Sequence, residues 1–253
     1  MHEATNFGLP KQKDLSIKRA GPDNPDSSCP RMKFTDGNWL IQPGASPHHP
    51  AEAYDVAASA AALTVYAPTR PIRHRGDTLQ GPMLTIRIDS PMADVIRVRI
   101  EHFAGATARG PLIPLRRETA HTVEISSELG RDATLRSGDL VARVGRTNGW
   151  TLSFEAGGRE LTRSGPRGMG YVQWESRGSF IHEQLSLSVG ECVYGFGERF
   201  TAFAKNGQVV ETWNKDGGTN SDQAYKSVPF YLTNRGYGVL VNDLGPVSFE
   251  VAS

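Results

Sequence analysis

Leu84-Thr85-Ile86-Arg87-Ile88-Asp89, followed after a short break by Ile96-Arg97-Val98-Arg99-Ile100-Glu101, decides the fold. Every second residue is apolar. Side chains on an extended strand point alternately to opposite faces. A period of two therefore places Leu84, Ile86, Ile88, Ile96, Val98 and Ile100 in a core, and predicts solvent for Thr85, Arg87, Asp89, Arg97, Arg99 and Glu101. The alternation returns in Trp150-Thr151-Leu152-Ser153-Phe154 and in Leu185-Ser186-Leu187-Ser188-Val189. It returns again in Val228, Phe230 and Leu232, in Val239 to Val241, and in Val247-Ser248-Phe249-Glu250-Val251. Ser137-Gly138-Asp139, Asn148-Gly149, Gly157-Gly158 and Asn234-Arg235-Gly236 separate the runs with residues that accept the positive φ of tight turns. Many short strands at this spacing predict an all-β sandwich or barrel. Only Ala51–Ala62 hints at a helix, because it is rich in alanine.

Composition narrows the function. The 253 residues carry 28 Lys and Arg against 27 Asp and Glu, a net charge of +1, and 38 % are hydrophobic. Such a balance argues against a nucleic-acid binder, which needs a basic patch or stripe. No stretch reaches the ~20 consecutive apolar residues of a membrane helix, and the N-terminus has no apolar signal core. Cys29 and Cys192 are too few and too far apart for a disulfide framework. Together these predict a protein of the cytoplasm without a membrane partner. Residues 1–31 are Pro-, Asp- and Ser-rich without apolar period, and read as a disordered tail or upstream extension. The pattern changes at Met32, the expected natural start, and residues 32–253 read as one domain. The chain ends two residues beyond an alternating strand, which reads as a piece of something longer.

Several chemical motifs fail on inspection. Gly195-Phe196-Gly197-Glu198-Arg199-Phe200 begins like a dinucleotide fingerprint but lacks the third glycine and any βαβ context. His182-Glu183 opens a zincin-like string, yet Ser186 stands where the second histidine belongs. His48-His49 has no carboxylate or cysteine at ligand spacing and reads as a solvated loop. No metal, no cofactor and no catalytic residue is assigned. What remains is dense: Tyr194-Gly195-Phe196-Gly197-Glu198-Arg199-Phe200, then Glu211-Thr212-Trp213-Asn214-Lys215-Asp216-Gly217-Gly218-Thr219, then Ala224-Tyr225-Lys226-Ser227. Aromatic faces suit the C–H faces of a pyranose, and carboxylate and amide groups suit its hydroxyls. A structured surface loop pinned by Trp213 is the alternative reading of the same residues.

These stretches resemble glycoside hydrolase family 31, and within it the bacterial α-xylosidases. Met32-Lys33-Phe34-Thr35-Asp36-Gly37-Asn38-Trp39-Leu40-Ile41-Gln42-Pro43-Gly44 and Arg99-Ile100-Glu101-His102-Phe103 are similar to landmarks of that subgroup. The resemblance runs from Met32 to Ser253. It implies an N-terminal β-sandwich of the galactose-mutarotase-like type, followed in the family by a catalytic (β/α)₈ barrel that this sequence does not contain. It implies retaining hydrolysis of a terminal α-linked xylose by two aspartates of that barrel. It also implies that a loop of the sandwich reaches the substrate, with Asp216 at the matching position to accept hydrogen bonds from sugar hydroxyls. Trp213, Asn214 and Lys215 would shape the loop, and Glu198 and Arg199 would hold the sheet and the domain interface rather than touch sugar. The expected partners are an α-xyloside or related oligosaccharide and the catalytic barrel. By itself the chain is expected to be inactive. Alternatives are a free-standing carbohydrate-binding module and a mutarotase-like epimerase that would need His102, His121 or His182 beside a carboxylate.

Overall fold

The computed structural model describes residues 11–13, 33–37, 40–102, 121–175, 177–215, 222–243 and 245–253. Among these there is no α-helix, and one 3₁₀ turn spans Arg75–Leu79. Every strand pairing is antiparallel. A four-stranded sheet joins Asp55–Ala58, Ala62–Pro68, Met83–Met92 and Val95–Glu101 in chain order. A five-stranded sheet joins Glu124–Ser126, Ala133–Ser137, Leu140–Gly145, Thr151–Ala156 and Arg159–Ser164 as a meander. The two lie face to face, with Ala133–Ser137 against Ala62–Pro68 and Met83–Met92, and Leu140–Gly145 against Val95–Glu101. This is the sandwich.

Its core follows the alternation. Leu84, Ile86, Ile88, Val98 and Ile100 from one sheet meet Leu135, Val144, Leu152 and Phe154 from the other, all buried. The core continues beneath a hairpin, Met169–Trp174 and Gly178–Glu183, whose Met169, Tyr171 and Ile181 point inward. The other face of that hairpin holds a second cluster, Val172, Trp174 and Phe180, against Phe34. A three-stranded sheet (Val193–Gly197, Ser227–Thr233, Gly238–Leu240) and the pair Gln208–Glu211 with Ser248–Val251 close the end of the core with Phe196, Tyr231 and Phe249.

Three local expectations change. Ala51–Ala62 forms no helix: Asp55–Ala58 pairs with Leu63–Tyr66, and the Ser59 hydroxyl accepts from the Ala62 amide at 3.1 Å to close the turn. Alanine's helix preference is a weak local bias, and a sheet edge offering ladder bonds overrides it. Leu185–Val189 is not a strand. Leu185 and Leu187 pack on the core, but the chain makes single bonds such as Ser186 N to Arg163 O, and Val189 is fully exposed at a turn. Arg97 and Arg99 do not face open solvent. Both are buried around Asp89, whose carboxylate accepts from Arg97 Nε at 2.7 Å and Arg99 Nη2 at 2.6 Å. Burial raises the Asp89 pKa, but the two guanidiniums outweigh it and hold the carboxyl below its ordinary value.

Candidate functional site

The Gly195-Phe196-Gly197 run builds one edge of the site. All three residues have positive φ, 121°, 67° and 89°, and the pairing with Ser227–Thr233 slips across them. A Cβ at Gly195 would sit 2.8 Å from the Phe230 carbonyl, and one at Gly197 would overlap the Lys226 carbonyl. Only glycine fits either position. Phe196 between them has a Cβ in the left-handed region, a conformation of order 1–3 kcal/mol above the usual ones. It is held there by burial against Phe249 at 4.4 Å and Tyr231 at 5.7 Å between ring centres. The bulge turns the strand so that Glu198 N reaches Lys226 O at 3.0 Å.

From this turn the Arg199 guanidinium reaches three chain segments. Its Nε donates to Phe196 O at 3.1 Å, Nη2 to Glu211 O at 2.8 Å and to Ser227 Oγ at 2.9 Å, and Nη1 to Asp222 O at 3.2 Å. Burial pulls the Arg199 pKa down, with Asp222 and Glu211 opposing. The stems between Glu211 and Ser227 are further tied by Ser227 N to Asn214 Oδ1 at 2.8 Å and Lys215 N to Ala224 O at 2.8 Å. Thr212 anchors the incoming stem on Val247 O, through its amide at 2.8 Å and its hydroxyl at 3.0 Å. On this framework Trp213 is 51 % exposed and Tyr225 55 %. The tied stems thus present two large aromatic rings half in solvent, a platform in the sense that each ring can receive the apolar face of a ligand. Asp216, expected to touch sugar, lies outside the described residues, as do Gly217 and Gly218.

Glu198 and Lys226 form an exposed ion pair at 2.9 Å beside the platform. Arg199, by contrast, is bonded to both stems of the loop. The sequence did not show that Asn214 would cap Ser227, although an Asn just before a Gly-rich turn is a signal for side-chain-to-backbone bonding.

The three histidines weighed for mutarotase chemistry have different neighbours. His102 stacks on Tyr171 at 4.0 Å, and His121 Nε2 lies 2.9 Å from Ser90 Oγ. His182 Nε2 lies 3.3 Å from His49 Nδ1. Burial drives the His182 pKa to about 3, with His49 adding to the effect. His48-His49 is therefore no solvated loop: His48 ends a strand, and His49 is drawn inward because Gly170 leaves room for both rings. Among the described residues, no group of three or more His, Cys, Asp or Glu is arranged to hold a metal ion. No helix of the described residues is long and apolar enough to cross a membrane.

Beside the platform the three-stranded sheet is bare on its outer face. Val228, Phe230, Leu232 and Leu240 are 46, 36, 52 and 48 % exposed. Adjacent apolar residues in such a row mark a contact surface rather than scattered surface hydrophobics.

Comparison with known proteins places the domain. The sequence profile described as "Glycosyl hydrolase 31 N-terminal galactose mutarotase-like domain" matches residues 85–250. The chain is 39 % identical over 225 residues to Alpha-xylosidase XylQ of Lactiplantibacillus pentosus, covering 88 % of this chain and 29 % of that protein. It is 38 % identical over 248 residues to an alpha-xylosidase of Emericella nidulans, covering 88 % of this chain and 31 % of that protein. The chain thus spans about three tenths of the length of these relatives. The cycloalternan-forming enzyme from Listeria monocytogenes shares the fold, at a TM-score of 0.64 and 17 % identity over 82 % of this chain and 19 % of that one.

Proposed function

The chain belongs to glycoside hydrolase family 31, of which it carries the N-terminal galactose mutarotase-like domain, and from that premise we propose that it serves the hydrolysis of terminal α-xylosides. Its part is non-catalytic. The domain, residues 32–253, packs through the bare face of Val228, Phe230, Leu232 and Leu240 on the catalytic barrel of such an enzyme. Its Glu211–Ser227 loop completes the sugar site, with Asp216 accepting hydrogen bonds from xylose hydroxyls. The proposed compartment is the cytoplasm, in keeping with the free thiol of Cys192. The observation that carries the reading is the identity to two α-xylosidases across 88 % of this chain and only 29 and 31 % of theirs. The aromatic platform and the apolar sheet beside it support it physically.

The test joins this chain to the remainder of the Lactiplantibacillus protein in place of that protein's own matching segment. The chain alone should not hydrolyse an aryl α-xyloside, and the chimera should. Turnover by the chain alone would overturn the non-catalytic role. A folded chimera without turnover would overturn the role in xyloside hydrolysis. The exposed Trp213 and Tyr225 favour one second reading, a binding module that takes sugar unaided. Calorimetry of the isolated chain with xylose separates the two, because only the module binds tightly.

A further inference from the structure

We propose that Arg199 is the positioning residue of the sugar platform, fixing through its guanidinium the stems on which Trp213 and Lys215 stand. The proposal rests on the platform reading given above.

Four contacts carry it. One side chain serves the carbonyls of Phe196, Glu211 and Asp222 and the hydroxyl of Ser227, so it touches the bulge, the incoming stem and the outgoing stem at once. These four bonds go to carbonyl and hydroxyl oxygens, although the guanidinium is half-buried and its charge is disfavoured there. A guanidinium spent on backbone carbonyls orders backbone. Its planar fork of five N–H donors suits that task, whereas a lysine ammonium is a point charge that holds fewer divergent acceptors.

The neighbouring geometry explains why the arginine arrives there. The strained Phe196 and its two glycines turn the chain at the point where Arg199 must enter between the stems. The nearby Lys205 ammonium is already bound to Thr201 Oγ1 at 3.0 Å and Ala202 O at 2.7 Å, so it does not share the task. The other stem bonds each join two points: Asn214 to Ser227 and Lys215 to Ala224 tie the stems to each other, and Thr212 ties the incoming stem to Val247. Arg199 joins the bulge, the incoming stem and the outgoing stem through one group. Misplacing a binding group by about 1 Å is enough to cost roughly a hundredfold in a productive contact.

The experiment uses the 253-residue chain with R199A and R199K. The Trp213 indole N–H resonance is assigned by loss in W213F, and turnover of an aryl α-xyloside is measured in the chimera carrying each variant. The expected result is that both variants unfold cooperatively, yet shift or broaden Trp213 and the amides of Lys215 and Ser227 while leaving the core Trp150 in place. In the chimera with the catalytic remainder, turnover of the xyloside should fall about tenfold or more in R199A, and less in R199K, which keeps the charge. Should R199A fail to fold, R199K carries the comparison. Unchanged Trp213, Lys215 and Ser227 resonances in a folded variant would overturn the proposal. If the variants displace Trp213 while turnover by the folded chimera is unchanged, the positioning role is supported and the sugar platform is overturned.

Discussion

His182 Nε2 lies 3.3 Å from His49 Nδ1, and the two rings meet edge to face at 5.1 Å between centres. His49 Nδ1 also lies 3.0 Å from the carbonyl of Met169. One proton placement satisfies both contacts: His49 Nδ1–H donates, and neutral His182 Nε2 accepts. Protonating His182 would put a hydrogen on each facing nitrogen inside the fold.

The folded protein therefore resists a proton that the unfolded chain takes up below pH 6.5. With the folded pKa near 3, stability is fully present above pH 6.5 and is lost as pH falls towards 3. This one site contributes a slope of up to about 1.4 kcal/mol per pH unit. His182→Gln should flatten the acid side of a urea-denaturation profile taken between pH 7 and 4. An unchanged slope would show that another group carries it.

Glu183 acts in the opposite direction. It is 4 % exposed, and its carboxyl faces the Ser164 hydroxyl. Burial pushes its pKa well up, and the neighbouring Ser164 hydroxyl offsets this only in part. The folded chain keeps a proton that the unfolded chain releases above pH 4.5, so this contribution to stability is lost as pH rises. Glu183→Gln, which needs no proton to stay neutral, should gain stability at pH 8 by up to about 1.4 kcal/mol for each pH unit above 4.5, and much less at pH 5. Chemical denaturation at the two pH values measures the difference.

Asp89 is the hub of a buried charge cluster on the face that alternation assigns to solvent. Asp89→Ala leaves Arg97 and Arg99 without this carboxylate, and should destabilise by about 3–5 kcal/mol, as breaking a buried pair from one side does. Thermal unfolding of the variant gives the number. A loss below about 1 kcal/mol would mean that other groups hold the two arginines.

Gly197→Ala forces a Cβ into the Lys226 carbonyl at φ +89°. The Ser227–Thr233 strand must move, so the variant should lose roughly 2 kcal/mol or more, in the range of strained backbone sites. Amide exchange at Glu198 should rise with it. Gly157→Ala, at a hairpin tip with open space around it, is the control for positive φ alone.

Leu232→Glu tests the bare sheet face. Its side chain is 52 % exposed, so the isolated chain should keep its stability within about 0.5 kcal/mol. The chimera with the catalytic remainder should lose activity or assembly, which activity assays and sedimentation read directly.

The sandwich is already written in the alternation of the chain. Leu84, Ile86, Ile88, Val98 and Ile100 declared their strands through alternation sustained over two adjoining runs, and each is buried as expected, whereas the same period at Leu185–Val189 made no strand. The motif from Tyr194 to Phe200, the Trp213 loop and the family likeness were legible for the same local reason: each is a run of neighbouring residues. Tertiary structure alone decided where the polar side chains went. Period two says that Arg97 and Arg99 leave the core face, but not that other chain covers the opposite face around Asp89. His49 and His182 stand 133 positions apart, and nothing local joins them. Ala51–Ala62 lost its helical bias to a neighbouring strand that no window of its own contains. Arg199 became the tie of the loop only when folding brought Glu211, Asp222 and Ser227 to one guanidinium. Hydrogen bonds and ion pairs are set by distance in space, and distance in space is what a one-dimensional pattern does not record.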